Sequence, residues 1–154
     1  KSLKKIHGPI EGLLGTVSSD KEYFFFSKME GASIESFVKN LSTGKITKFD
    51  IATLPQKCAW QTSSVLICAV PNSLDKRAIY PDDWYKGKVS FTDDIYSINM
   101  SSLRTENITS VFDFSDKLFD ATDMKIGKIE DGYLIHFINK NDLTLWGVKL
   151  EDSM

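Results

Sequence analysis

No apolar run in this sequence is long enough to cross a bilayer. The longest, Val65 to Val70, is far short of the roughly 20 residues a spanning helix needs. Blocks of like charge are also missing. The 19 Lys and Arg and 21 Asp and Glu are interleaved to a net charge of −2, which leaves no clustered basic face for DNA or RNA. Lys1, Lys4 and Lys5 form the one local basic group, and a solvated terminus accounts for them. Histidine and cysteine number two each. His7, His136, Cys58 and Cys68 do not fall at ligand spacing, so no zinc site is expected. There is no Gly-x-Ser-x-Gly elbow, no glycine-rich phosphate loop and no His-Glu-x-x-His. The chain is therefore expected to be non-catalytic and to carry no cofactor and no metal. Helical periodicity over three turns is absent as well.

What remains is a strand-forming composition, 42% hydrophobic and 12% aromatic, in a chain long enough to bury a core. Four short β-type segments, Leu13–Val17, Glu22–Ser27, Ser36–Asn40 and Ile46–Phe49, alternate with turn-forming stretches at Ser18–Lys21, Met29–Ala32 and Ser42–Lys45. The same order returns as Cys58–Trp60, Val65–Ala69, Asp94–Asn99 and Asn107–Val111, with an insertion over 71–91. It returns again as Asp123–Ile126, a turn over Gly127–Gly132, Tyr133–Ile138 and Leu143–Leu150, this time without a fourth strand. Tyr23 and Leu66 are about 40 residues apart, the length of one propeller blade. Tyr23 to Phe26 and Val65 to Val70 are continuously apolar, as inner strands buried on both faces should be. A β-sandwich is the competing reading, although its strands alternate more cleanly.

The segments Ser18-Ser19-Asp20-Lys21-Glu22-Tyr23-Phe24-Phe25-Phe26-Ser27 and Val38-Lys39-Asn40-Leu41-Ser42-Thr43-Gly44-Lys45 resemble TolB-type, WD40-like propeller blades. Those blades carry Ser-x-Asp-Gly-Lys before an apolar strand and Thr-Gly after the third; here Lys21-Glu22 replaces Gly-Lys. The second unit is similar to uncharacterised bacterial envelope propellers through Lys57-Cys58-Ala59-Trp60, Cys68-Ala69-Val70-Pro71 and Pro81-Asp82-Asp83-Trp84-Tyr85. The resemblance implies an all-β fold of about three four-stranded antiparallel blades at 13–50, 56–112 and 118–150, an incomplete part of a larger propeller. Closed propellers have at least about four blades, so upstream blades, an open arc or an oligomer are expected. Leu3–Ile6 is read as an outer strand of a preceding blade or the one that completes the last.

Cys58 and Cys68 fall opposite one another in a hairpin around Ser63. Two readings stand: a disulfide, which the family resemblance favours and which would imply an extracytoplasmic setting, or two free thiols used as small core residues. Sequons at Asn40, Asn99 and Asn107 fit secretion but are short enough to arise by chance. The chain starts at Lys1 without a leader, so it reads as a processed or excised product whose signal or anchor lies upstream.

The insertion holds Tyr80, Asp82, Asp83, Trp84 and Tyr85, aromatic and acidic residues of the kind that anchor binding surfaces. The equal alternative is that Trp84 and Tyr85 pack the loop on its own blade. Asp82-Asp83 and Asp93-Asp94 offer carboxylates without calcium-loop spacing. Asp113, Asp116, Asp120 and Asp123 suit turn formation, and Trp60 and Trp146 suit the core or blade interfaces. The function expected is a partner-binding or scaffolding surface for a protein or cell-envelope partner. The alternative is a substrate-gating propeller portion of a larger hydrolase.

Overall fold

The computed structural model describes residues 2–109 and 117–151. Among these, eleven strands make three antiparallel sheets and no closed barrel. The first sheet runs β1 (Leu14–Val17), β2 (Tyr23–Glu30), β3 (Ser33–Asn40), β4 (Ile46–Phe49). The second runs β5 (Cys58–Trp60), β6 (Val65–Pro71), β7 (Asp93–Asn99), β8 (Arg104–Asn107). The third has β9 (Ala121–Ile129), β10 (Gly132–Asn139) and β11 (Thr144–Leu150). In each sheet strands adjacent in sequence are adjacent in space, the meander of a propeller blade.

The sheets stack, and β6 shows why its sequence does not alternate. Leu66, Cys68 and Val70 face the first sheet and cluster with Phe25, Val38 and Phe49. Ile67 and Ala69 face the third and cluster with Phe119, Ala121, Ile135 and Phe137. Both faces of the middle sheet are core, so successive side chains must all be apolar. Each fully buried Leu, Ile or Phe stabilises this stack by about 1.5–3 kcal/mol. Polar links fix the spacing of the first two sheets. The Thr53 amide donates to Ser36 Oγ and its hydroxyl to the Ala69 carbonyl, while Trp60 Nε1 donates to Thr16 Oγ1.

Turn chemistry is repeated along the chain. The Oδ1 atoms of Asn40 and Asn99 each accept two backbone N–H groups of the following turn, and Asn139 Oδ1 accepts those of Asn141 and Asp120. Four residues after each Asn the backbone turns left-handed, at Gly44 (φ 77), Leu103 (φ 57) and Leu143 (φ 60). The Asn side chains thus substitute for backbone partners the turns lack. Beyond the first sheet, His7 lies over the rings of Phe24 and Phe26, at 5.8 and 4.5 Å between centroids.

Several sequence expectations need correction. Residues Leu3–Ile6 form no strand; Leu3 is fully exposed, and the segment meets the sheets through Lys39 Nζ, which donates to the Ile6 carbonyl at 2.9 Å, without strand pairing. The fourth strand of the second sheet is Arg104–Asn107, not Asn107–Val111, because the tight Asn99 turn returns the chain at once and pairs Asn99 with Arg104. All four residues of that strand are exposed, so it has no apolar signature; Val111 lies outside the described residues. In the third sheet the strands extend through most of Gly127–Gly132, leaving a two-residue turn between Ile129 and Gly132. A Cβ at Gly132 would lie 2.0 Å from the Leu150 carbonyl oxygen, so only glycine fits. The third sheet has three strands among the described residues, as the third unit of the sequence, with no fourth β-type segment, led one to expect.

Cys58 and Cys68 are direct cross-strand partners and form a disulfide with a sequence separation of 10. Replacing both with alanine is expected to lower the unfolding free energy by about 2–3 kcal/mol, read by urea denaturation. Lys21 sits at φ 64, a left-handed conformation that costs a side-chain-bearing residue free energy. Lys21→Gly should stabilise the chain by about 0.5–1 kcal/mol in the same assay.

Candidate functional site

The connection between β6 and β7 is the insertion, and its apolar residues point inward. Tyr80, Trp84 and Phe91 pack with Ile34, Leu54 and Ala78, closing the end of the stack where β2 and β6 finish. A single helical turn, α1 (Asp82–Tyr85), places Trp84 at the centre with 1% of its surface exposed. The Trp84 and Phe91 rings stack at 5.8 Å between centroids. The Tyr80 hydroxyl accepts from the Asp75 amide, and burial pushes the Tyr80 phenol up from its ordinary pKa. Asp83 Oδ2 accepts the Ile79 amide, and its carboxylate pairs with Lys88 at 3.0 Å. That backbone bond is the largest cause holding the Asp83 pKa below the usual carboxylate range.

Beneath the insertion sits a buried ion cluster. Lys57, in the short 3-10 turn Pro55–Lys57, has no solvent exposure. Its Nζ donates to Asp120 Oδ1 at 2.6 Å and to the Ala121 carbonyl at 2.7 Å and forms an ion pair with Asp93 Oδ2 at 2.7 Å. Asp120 is fully satisfied, accepting also from Trp84 Nε1 at 2.9 Å and the Phe91 amide at 3.0 Å. Asp93 Oδ2 accepts from the Ala121 amide at 2.7 Å, whereas its Oδ1 is buried without a hydrogen-bond partner among the described residues. Trp84 and Phe91 also present their rings to the Lys57 ammonium at 5.1 and 5.0 Å. From the β10–β11 turn, Lys140 Nζ donates to the Trp84 carbonyl at 2.7 Å.

Burial pushes the Asp93 carboxyl up to about 6, against the pull of Lys57 and the Ala121 amide and with help from the Asp120 charge. One cation faces two carboxylates in a dry site, so the less well hydrogen-bonded acid is the one that takes a proton.

The five residues picked out by sequence thus divide. Tyr80 and Trp84 are buried and hold the insertion down; Asp83 is tied into it. Tyr85 is 49% exposed and Asp82 is exposed, paired with Lys86 at 3.5 Å. Gln56 Nε2 donates to the Tyr85 hydroxyl, and partial burial, with the Asp82 charge, raises the Tyr85 pKa. Elsewhere in the same insertion Ile79 is exposed at 68%. The sequence offered Asp93 only as half of a carboxylate pair and Asp120 only as a turn former; their meeting with Lys57 escaped notice because the three lie far apart along the chain. Asp123 is exposed and pairs with Lys125; Asp113 and Asp116 lie outside the described residues. A separate groove of about 620 Å³ between the second and third sheets is lined by Val65, Ile67, Arg104, Glu106, Tyr133 and Leu150, among others. No group of three or more His, Cys, Asp or Glu side chains suited to a metal occurs among the described residues.

No family model matches the chain, and no curated protein matches it. Among solved structures it is similar to TolB from Acinetobacter baumannii, with 12% identity and a TM-score of 0.46 over 92% of this chain. The match covers 34% of that protein, so the chain spans about a third of its length.

Lys57→Met should destabilise the chain by about 3–5 kcal/mol at pH 7.5, since it leaves two carboxylates buried without their cation. Urea denaturation at pH 7.5 and pH 5 checks this, with a smaller loss expected at pH 5, where Asp93 is protonated.

Proposed function

We propose that the chain is a non-catalytic propeller segment that presents the outer surface of its insertion to a protein or cell-envelope partner in an extracytoplasmic setting. The observation that carries this reading is the pairing of an immobilised underside with an exposed apolar top. Trp84, Tyr80 and Phe91 anchor the insertion, while Ile79 and Tyr85 stay open to solvent. A surface already held in one conformation loses little entropy when a partner docks. The insertion also exposes Asp82, Lys86 and Arg77, charges of both signs of the kind found in the polar rim of an interface. The disulfide favours an oxidising compartment.

A photo-crosslinking residue placed at Ile79 or Tyr85 should capture the same partner from envelope extracts. One placed at Leu103, exposed in the turn before β8, should not. Replacing Ile79 and Tyr85 together with alanine should weaken capture by roughly tenfold without changing the circular dichroism spectrum. Trp84→Ala should instead unseat the insertion. Unchanged capture by the Ile79/Tyr85 variant, or equal crosslinking from position 103, would remove this surface from the interface.

A further inference from the structure

We propose that the insertion is a proton-tightened clasp: uptake of a proton by Asp93 strengthens its hold on the second and third sheets and steadies the Ile79 and Tyr85 surface in mildly acidic surroundings. The importance of that steadying for binding rests on the partner-surface reading; the clasp itself rests on the ion cluster.

The groups around Asp93 are few. The 3-10 turn supplies Lys57, the segment before β9 supplies Asp120, and the β10–β11 turn supplies Lys140, which reaches the cluster through the Trp84 carbonyl. Across the strand pair, β6 presents Pro71 opposite Asp93, with no charge. The insertion contributes the Trp84 and Phe91 rings and the Phe91 amide, while its Lys88 is engaged by Asp83. The neighbouring Asp94 faces outward, accepting from Asn107 Nδ2. Three charges therefore determine the balance, one positive and two negative. A proton placed on Asp93 Oδ1, the oxygen without a hydrogen-bond partner among the described residues, leaves the Lys57 cation facing the Asp120 anion and the cluster neutral.

Trp84 and Phe91 are the cover of this cluster. If the insertion lifts, water reaches both carboxyls and Asp93 returns to the ordinary carboxylate range. The closed form then binds the proton more tightly than the open form. By linkage, falling pH favours closure, and the gain levels off below the open-form pKa. The sign is that of a carboxyl raised by folding: the cost of burying its charge is present at neutral pH and disappears as pH falls through about 6.

The test is hydrogen exchange at Trp84 Nε1 in the full chain, followed by NMR at pH 7.5 and pH 5.0 and corrected for the intrinsic rate. Protection should rise about tenfold at the lower pH and should stay flat in Asp93→Asn. Equal protection at both pH values in the unmodified protein, or the same rise in Asp93→Asn, would overturn the clasp. If Asp93→Asn does not fold, the ¹³C carboxyl shift of Asp93 in the unmodified protein decides. A midpoint about 6 supports the clasp, and one near the ordinary value of about 3.9 sinks it. No partner is needed for either measurement, so failure here is separable from failure of the crosslinking at Ile79 and Tyr85.

Discussion

An ammonium group sealed from water must find all its hydrogen bonds and its counter-charge inside the protein, and Lys57 finds them in parts of the chain that nothing else would bring together. Asp93 starts β7 and Asp120 precedes β9, so the lysine ties the middle sheet to the third. Asp120 in turn receives the Trp84 indole and the Phe91 amide, so the insertion is secured by the same charge. Such a cluster adds little net stability over an apolar replacement of equal shape, because desolvation offsets most of the attraction. Its contribution is to geometry: a shifted insertion or a slipped sheet would leave a buried charge unanswered.

The apolar stack and the ion cluster divide the work. Leu66, Cys68 and Val70 on one side of β6 and Ile67 and Ala69 on the other hold the three sheets together without specifying direction. Polar groups with a single good partner then select one arrangement. The 21-residue excursion from 72 to 92 is ordered because it carries its own apolar residues into the end of that stack, which is what a long loop requires if it is to keep one conformation.

Much of the fold was legible because its signals are local. The run Tyr23 to Phe26 announced a strand buried on both faces, Asp20 and Lys21 announced the first turn, and the opposed positions of Cys58 and Cys68 admitted the disulfide that forms. The polar edge strand β8 was not legible, since Arg104, Thr105, Glu106 and Asn107 are all exposed and are held by backbone pairing to β7 with one side-chain bond from Asn107 to Asp94. The insertion was recognised, but the roles of its aromatics were not separable: Trp84 and Tyr85 are adjacent and similar in type, yet one faces the core and the other solvent. Only the direction of a single helical turn distinguishes them. The ion cluster was invisible for a further reason. Lys57 and Asp120 are 63 positions apart, and a lysine that reads as a surface residue becomes an interior one through contacts no short window contains.

The disulfide lies inside the interface between the first two sheets, with Cys68 completely covered and Cys58 nearly so beneath Phe25, Val38 and Phe49. Thiolate exchange needs direct access to sulfur, so an oxidant must reach the β5–β6 hairpin before the first sheet settles on it. Biogenesis therefore has an order: oxidation comes first and docking second. Once docked, the sheet shields the bond from reductants outside.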